Sequence, residues 1–231
     1  IFSQYEEVGQ RRNILDSKHF GMSMGICVGD LGFFLASRFL GEISAHEKYQ
    51  DVHRMFFEEL SRVALAEMQD VYLGMRDREV KEQDVLQVYL EKTARYTFSL
   101  PFFVGATLGD APKKTRLDLE RIGESLGVVF QIKDDELGFF GNEQEIGKPV
   151  GSDVREGKKT LLFVFLMRRA PQGERAKLRS FFGKRQLSLE ELSFLRSRTE
   201  ELGVRSLIHE RIRDMGEEAR SRISMLSGVR E

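Results

Sequence analysis

The sequence predicts an all-α fold, a single helical bundle with a ligand site between facing helices. Three observations lead there. No stretch alternates apolar and polar residues between turn signals over the length of a strand. Apolar residues recur instead three and four apart in several long segments. The chain also has only four prolines in 231 residues, which leaves room for long helices. A chain of this length can bury a substantial core. No repeat, low-complexity tract or linker divides it, so residues 1–231 are read as one domain.

The elements follow in order. Ile1–Asn13 is polar and carries the basic pair Arg11-Arg12. His19–Leu40 is apolar on most faces and reads as a buried helix. Within it Cys27 reads as a buried small hydrophobe. Asp30, a lone acid, would need a partner or water there. Ala45–Gly74 is a long amphipathic helix whose apolar set includes Val52, Phe56, Leu60, Val63 and Met68. Gln69 and Asp70 lie near its end. Glu82–Asp110 continues the helical pattern, and Pro101 should kink or break it. Lys113–Gly138 has a stripe of Leu119, Ile122, Leu126, Val129 and Phe130. Gly157–Arg169 is a further helix with the apolar run LLFVFLM. Ser188 and Glu191 form a capping-box pattern. Val204, Leu207, Ile208, Ile212, Met215 and Ala219 make the stripe of a terminal helix.

Composition narrows the function. The 36 basic and 37 acidic residues nearly cancel, so neither nucleic acid nor an anionic membrane is expected as a partner. The single cysteine excludes an internal disulfide and fits a reducing, cytoplasmic setting. No apolar stretch of about 18 residues is read in the sequence, so no transmembrane candidate and no membrane insertion are expected. The histidines show no HExxH spacing, and zinc is not indicated.

The chemistry concentrates in Phe130–Thr160, FQIKDDELGFFGNEQEIGKPVGSDVREGKKT. Asp134 and Asp135 end an apolar helix. A Gly-rich, charged loop follows with Lys148, Asp153, Lys158 and Lys159. Gln131 and Asp134 are three apart and share a face, with Asp135 about 100° further round the helix. Position 138 would be next on that face, but it is Gly, so no third carboxylate is offered there. Mg2+ takes oxygen from one or two carboxylates and from substrate phosphates, and lysines act as point charges on phosphate. The simplest ligand that satisfies both halves is a metal-bound diphosphate.

This stretch resembles the second aspartate-rich region of the trans-polyprenyl diphosphate synthases, whose usual form is FQxxDDxxD, then GK, then D-x-x-EGK-T. Gly138 departs from it, and the DDxxG form resembles the actinobacterial-type geranylgeranyl and farnesyl diphosphate synthases. Other segments are similar in the family's order. His19–Leu31 resembles its HFG…GDL segment. Gln69 and Asp70 resemble its GQxxD position, with Met68 in place of Gly. Lys92-Thr93-Ala94 with Tyr96-Thr97 and Pro101 resembles KTA-x-YT-x-x-x-P. Arg11 and Arg12 match the arginines that follow the family's first DDxxD motif, and that motif, with several helices, is expected ahead of Ile1.

The resemblance implies a prenyltransferase that joins isopentenyl diphosphate to an allylic diphosphate, with Mg2+ as cofactor. Asp134 and Asp135 would hold the metal, with Gln131 beside them. Lys92, Lys148 and Lys158 would neutralise the allylic diphosphate, with Thr93 close to the reacting centre. Arg11 and Arg12 would hold isopentenyl diphosphate. A homodimer is expected by the same analogy, and the DDxxG form points to a farnesyl or geranylgeranyl product. Two other readings stand beside this one. A chain that lacks the first acidic motif could be a non-catalytic subunit of a synthase. A class I terpene cyclase shares the helical fold and metal-triggered ionisation, but the lysine positions favour the synthase.

Overall fold

The computed structural model describes residues 1–75, 79–142 and 150–226. It is all-α, with no strand among the described residues. The chain divides into two compact units, Ile1–His53 and Arg54–Glu231.

In the first unit, helix α1 (Phe2–Arg11) packs on α2 (Ser17–Glu42). Asp16 caps α2, its carboxylate accepting from the His19 N–H at 2.9 Å. Gly21 brings the two helices together: a Cβ there would lie 2.9 Å from the Phe2 carbonyl oxygen. The expectation of a buried apolar helix is corrected. Gly21 is the buried residue of α2, while Met22, Ile26, Phe33, Phe34 and Phe39 are exposed. An apolar helix with little polar-to-apolar asymmetry needs neighbours all round, and α1 covers one side. Cys27 and Asp30 are therefore exposed as well, and Asp30 carries no burial cost. Ser17–Glu42 also has the length and hydropathy of a membrane span. The expectation of no such candidate does not hold, because a run broken by single polar residues still averages as apolar.

The second unit begins within α3 (Tyr49–Met75). Helix α4 (Glu82–Tyr89) runs without a break into a π-helical stretch, Leu90–Ser99, and then into α5 (Leu100–Leu108). Pro101 was expected to kink or break the helix where it stands. It sits instead in the first turn of α5, where its missing N–H is tolerated. The irregularity lies one turn upstream, in the wider π turns.

Helix α6 (Lys113–Phe140) crosses this π stretch closely. Two glycines allow the approach. A Cβ on Gly123 would lie 2.6 Å from the Ser99 Cα, and one on Gly127 would lie 2.4 Å from the Ala94 Cα. No side chain fits at either contact. The remaining helices are α7 (Ser152–Glu156), α8 (Leu161–Arg169), α9 (Gln172–Ser180), α10 (Leu189–Glu201) and α11 (Val204–Ser224). Their apolar stripes meet α6 in one core, in which Ile132, Leu161, Leu166, Leu178, Leu195 and Ile208 are almost fully buried. The capping box at Ser188 forms as the spacing predicted, with both hydrogen bonds at 3.1 Å. Glu136 of α6 is also buried, and Lys133, Arg205 and His209 compensate its charge at 2.6, 3.1 and 2.7 Å. Two of these partners come from α11, so the acid pins the terminal helix to α6 beside the Asp pair.

Candidate active site

The close α6–π crossing sets Thr93 and Gln131 against each other. The Thr93 hydroxyl donates to Gln131 Oε1 at 2.7 Å, and Gln131 Nε2 donates to Asp135 Oδ1 at 2.8 Å. The sequence placed Gln131 on the face of Asp134. The structure pairs it with Asp135, four residues on, which is also a same-face spacing.

Asp135 is buried at 7 % exposure. Its second oxygen accepts from the Tyr89 hydroxyl, which itself accepts from the Leu161 N–H at 3.1 Å. One relay thus runs from Thr93 through Gln131, Asp135 and Tyr89 to the first turn of α8. Burial pushes the Asp135 carboxyl up to about 7, against the pull of Tyr89 and Gln131, and nearby Asp153 and Asp134 add to the rise. Tyr89 is pushed well above the ordinary phenol range by burial first and by Asp135 second. Sequence reasoning alone does not single out Tyr89. Its signal was its place one helical turn before Lys92.

Two lysines meet this relay. Lys92 reaches from the π stretch to Asp70 at 2.6 Å and Glu67 at 2.7 Å, both on α3. Burial works against its charge, but these acids outweigh it and raise the ammonium above its usual value. Lys158, just after α7, donates to Asp153 at 2.8 Å and lies 3.2 Å from Glu156. Burial again opposes the charge, and Asp153 and Glu156 hold the pKa above the usual lysine range.

These groups line one small cavity of about 40 Å3, together with Leu73, Val85, Val88 and Thr160. It has room for a few waters at most, because each lysine closes onto an acid. Asp135 also lines the adjoining pocket with Gly138, Asp153 and Lys158. The third-acid position is Gly138, and a Cβ there would lie 3.3 Å from Asp153 Oδ2. The space beside the missing carboxylate therefore holds a carboxylate from the next helix.

Of the sequence-predicted residues, Lys92, Thr93, Gln131, Asp135 and Lys158 converge. Asp134 is half-buried and lies outside the lining of both pockets. Lys148 lies outside the described residues. Arg11 and Arg12 belong to the first unit at the end of α1, both exposed, with Arg11 3.6 Å from Glu7. Among the described residues, no three His, Cys, Asp or Glu side chains converge tightly enough to hold a metal alone. The donor set still suits a hard cation that takes one or two carboxylates and completes its shell from phosphate and water. A buried carboxylate held near neutrality, with two further acids close by, is a group that a cation would relieve.

Comparison with known proteins gives a consistent picture. The family profile described as Polyprenyl synthetase matches residues 10–197. A geranylgeranyl diphosphate synthase of Sulfolobus acidocaldarius is 33 % identical over 175 residues, covering 75 % of this chain and 53 % of the relative. A short chain isoprenyl diphosphate synthase of Methanocaldococcus jannaschii is 26 % identical, with 75 % and 52 % covered. The crystal structure of geranylgeranyl pyrophosphate synthase from Corynebacterium glutamicum, complexed with isoprenyl diphosphate and magnesium, superposes with a TM-score of 0.91. That structure is 26 % identical, and the match covers 98 % of this chain and 64 % of the other. The chain spans about half the length of the curated relatives it matches.

Proposed function

The chain belongs to the polyprenyl synthetase family, and on that premise we propose that it is a Mg2+-dependent prenyltransferase. It condenses isopentenyl diphosphate with an allylic diphosphate to give a longer linear prenyl diphosphate, farnesyl or geranylgeranyl. The observation that carries this reading is the meeting of Lys92, Thr93, Gln131, Asp135 and Lys158 around one cavity. The names of the relatives and the ligands of the Corynebacterium structure support it.

In this reading the allylic C–O bond breaks and its electron pair leaves with the diphosphate. The isopentenyl double bond attacks the allylic carbon, a C–C bond forms, and a proton is lost to the released diphosphate. Lys92 and Lys158 exchange their acids for phosphate oxygens and neutralise the charge that grows on the leaving group. Lys148 joins them. Thr93 and Gln131 hold the reacting end in place through the relay to Asp135 and Tyr89. Leu73, Val85 and Val88 keep water from the cation. Asp134 and Asp135 would hold Mg2+, which when bound supplies Lewis-acid stabilisation of the diphosphate. Arg11 and Arg12 take the isopentenyl diphosphate, and the active form is a homodimer.

The test is incubation of the complete protein with Mg2+, isopentenyl diphosphate and, in turn, dimethylallyl, geranyl and farnesyl diphosphate. Elongated products are expected with at least one primer. No elongation with any of them overturns the proposal. Asp134→Ala and Asp135→Ala should each lose turnover while the far-UV circular dichroism stays helical, and activity surviving either change removes that residue from the metal site.

A further inference from the structure

Helix α6, which carries the Asp pair, ends beside the site. The last carbonyls of a helix lack partners within it and form the negative pole of its dipole. The last turn of α6 holds no basic residue of its own to offset that pole. Gly138 and Phe139 of this turn line the pocket that contains Asp135, Asp153 and Lys158. A bare carbonyl pole there would oppose an anion bound in the pocket.

The missing cation comes from α10. Arg196 is half-buried and forks across the end of α6: its Nε donates to the Phe139 carbonyl at 2.6 Å, and its Nη2 to the Gly141 carbonyl at 3.2 Å. It makes no ion pair among the described residues, and burial pushes its pKa below the usual arginine value. The same face of α10 also reaches α7. Leu192, one turn before Arg196, packs on Gly151, where a Cβ would lie 3.1 Å from Leu192 Cδ2. Gly151 has a φ of 78°, a conformation that favours glycine, and its N–H donates to the Gly138 carbonyl at 2.9 Å. Two residues further on, Asp153 holds Lys158 at 2.8 Å. Helix α10 thus touches both sides of the α6–α7 junction, and the Gly138–Gly151 hydrogen bond closes it.

We propose that Arg196 is a positioning residue for diphosphate binding: its fork on the end of α6 keeps the Gly138–Gly151 bond closed and so sets Asp153 and Lys158 against Asp135. This deepens the prenyl-transfer reading and rests on it for the identity of the anion. The guanidinium charge acts in the same direction, because it offsets the carbonyl pole that faces the pocket. Arg196 touches no substrate itself. The Thr93–Gln131 contact lies further back along α6 and is held by the crossing with the π stretch, so the reacting end is spared when Arg196 is lost. Affinity for the diphosphate should fall, and the rate of the bound complex should not.

The experiment compares the complete wild-type protein with Arg196→Gln, Arg196→Lys and, as a control for stability on the same helix, Arg198→Gln. Arg198 pairs with Glu174 and Glu201, away from the α6–α7 junction. In amide hydrogen exchange, the Gly151 N–H should open about tenfold more readily in Arg196→Gln, with the Leu161 N–H unchanged. Calorimetry with inorganic diphosphate in Mg2+ should show binding about tenfold weaker in Arg196→Gln and intermediate in Arg196→Lys, which keeps the charge and loses the fork. The KM for the allylic diphosphate should rise by the same factor while kcat stays within about twofold. Arg198→Gln should change none of these. Should Arg196→Gln fail to fold, Arg196→Lys carries the same readouts. Gly151 exchange at the wild-type rate in the folded Arg196 variants overturns the proposal, and so does an equal effect of Arg198→Gln, which would make the change a general loss of stability. Faster Gly151 exchange and weaker diphosphate binding in a protein that elongates no primer would uphold the role of Arg196 and refute the prenyl-transfer reading.

Discussion

Tyr89 is the residue on which the acid side of the site turns. Its hydroxyl donates to Asp135 and accepts from the Leu161 N–H, so Tyr89→Phe leaves one buried acceptor and one buried donor short of a partner. A loss of about 1–3 kcal/mol in stability is expected for each group left unsatisfied, read as a fall in Tm. Turnover should fall further than substrate affinity, because Asp135 loses its orientation and not its charge. Lys158 should divide the two effects the other way. Lys158→Met removes a cation from the leaving diphosphate and frees Asp153, and a charge-assisted hydrogen bond is worth about 1.5–3 kcal/mol. The allylic substrate's kcat/KM should therefore drop by about ten- to a hundredfold in steady-state assays. Lys158 was legible in sequence because it stands in a patterned run of charge, and Lys92 only because its Lys92-Thr93-Ala94 segment resembles the family's. Tyr89 was not, because a tyrosine on an apolar helix face reads as packing until its hydroxyl partner is known.

At the scale of elements, the site depends on the crossing of α6 over the π stretch. Gly127→Ala puts a methyl group 2.4 Å from the Ala94 Cα, so one backbone must move. Overpacking of this kind costs about 1–3 kcal/mol, or more where the neighbour is backbone. The Thr93–Gln131 contact should open as the helices part. Circular dichroism melts and assays of the same variant should show Tm and turnover falling together. Helix extents were largely readable, since stripes three and four apart place α6 and α11 within a few residues. The π stretch was not, because Pro101 announces a disruption without saying on which side the chain absorbs it. The pairing of Gln131 with Asp135 instead of Asp134 was equally hidden: both spacings share a face, and Tyr89 on another helix decides between them. Glu136 gives a further test at this scale. Burial alone would raise its carboxyl, but Lys133, His209 and Arg205 outweigh that and lower it to about 2. Its contribution to stability is thus present above pH 4.5 and lost as pH falls toward 2. Glu136→Gln should abolish that acid-side loss and cost about 1–3 kcal/mol at neutral pH, since the cations it leaves behind are about half exposed and regain water.

For the whole molecule, hydropathy records what a segment would bury and not what covers it. This is why α2 was read as a core helix and stands exposed in its unit, while the stripes of α8 and α11 did find their core. The same distinction governs the balance of stability against pH. Asp135 works in the opposite sense to Glu136, because burial raises its carboxyl to about 7 from an ordinary 3.8. Between those values the folded chain keeps a proton that the unfolded chain has lost. Stability in the absence of metal therefore falls as pH rises through this window, by up to about 4 kcal/mol across it. Glu136 is ionised in the folded and the unfolded chain alike above about pH 5.5, so it adds little slope there. The metal-free protein should accordingly melt at a lower temperature at pH 7.5 than at pH 5.5, and Asp135→Asn should flatten that difference. A divalent cation added together with diphosphate binds the ionised carboxylate, so it should raise Tm most at the higher pH and reverse the slope. If the metal-free protein instead melts higher at pH 7.5, or if Asp135→Asn keeps the wild-type slope, the buried carboxylate is not the group that sets this balance.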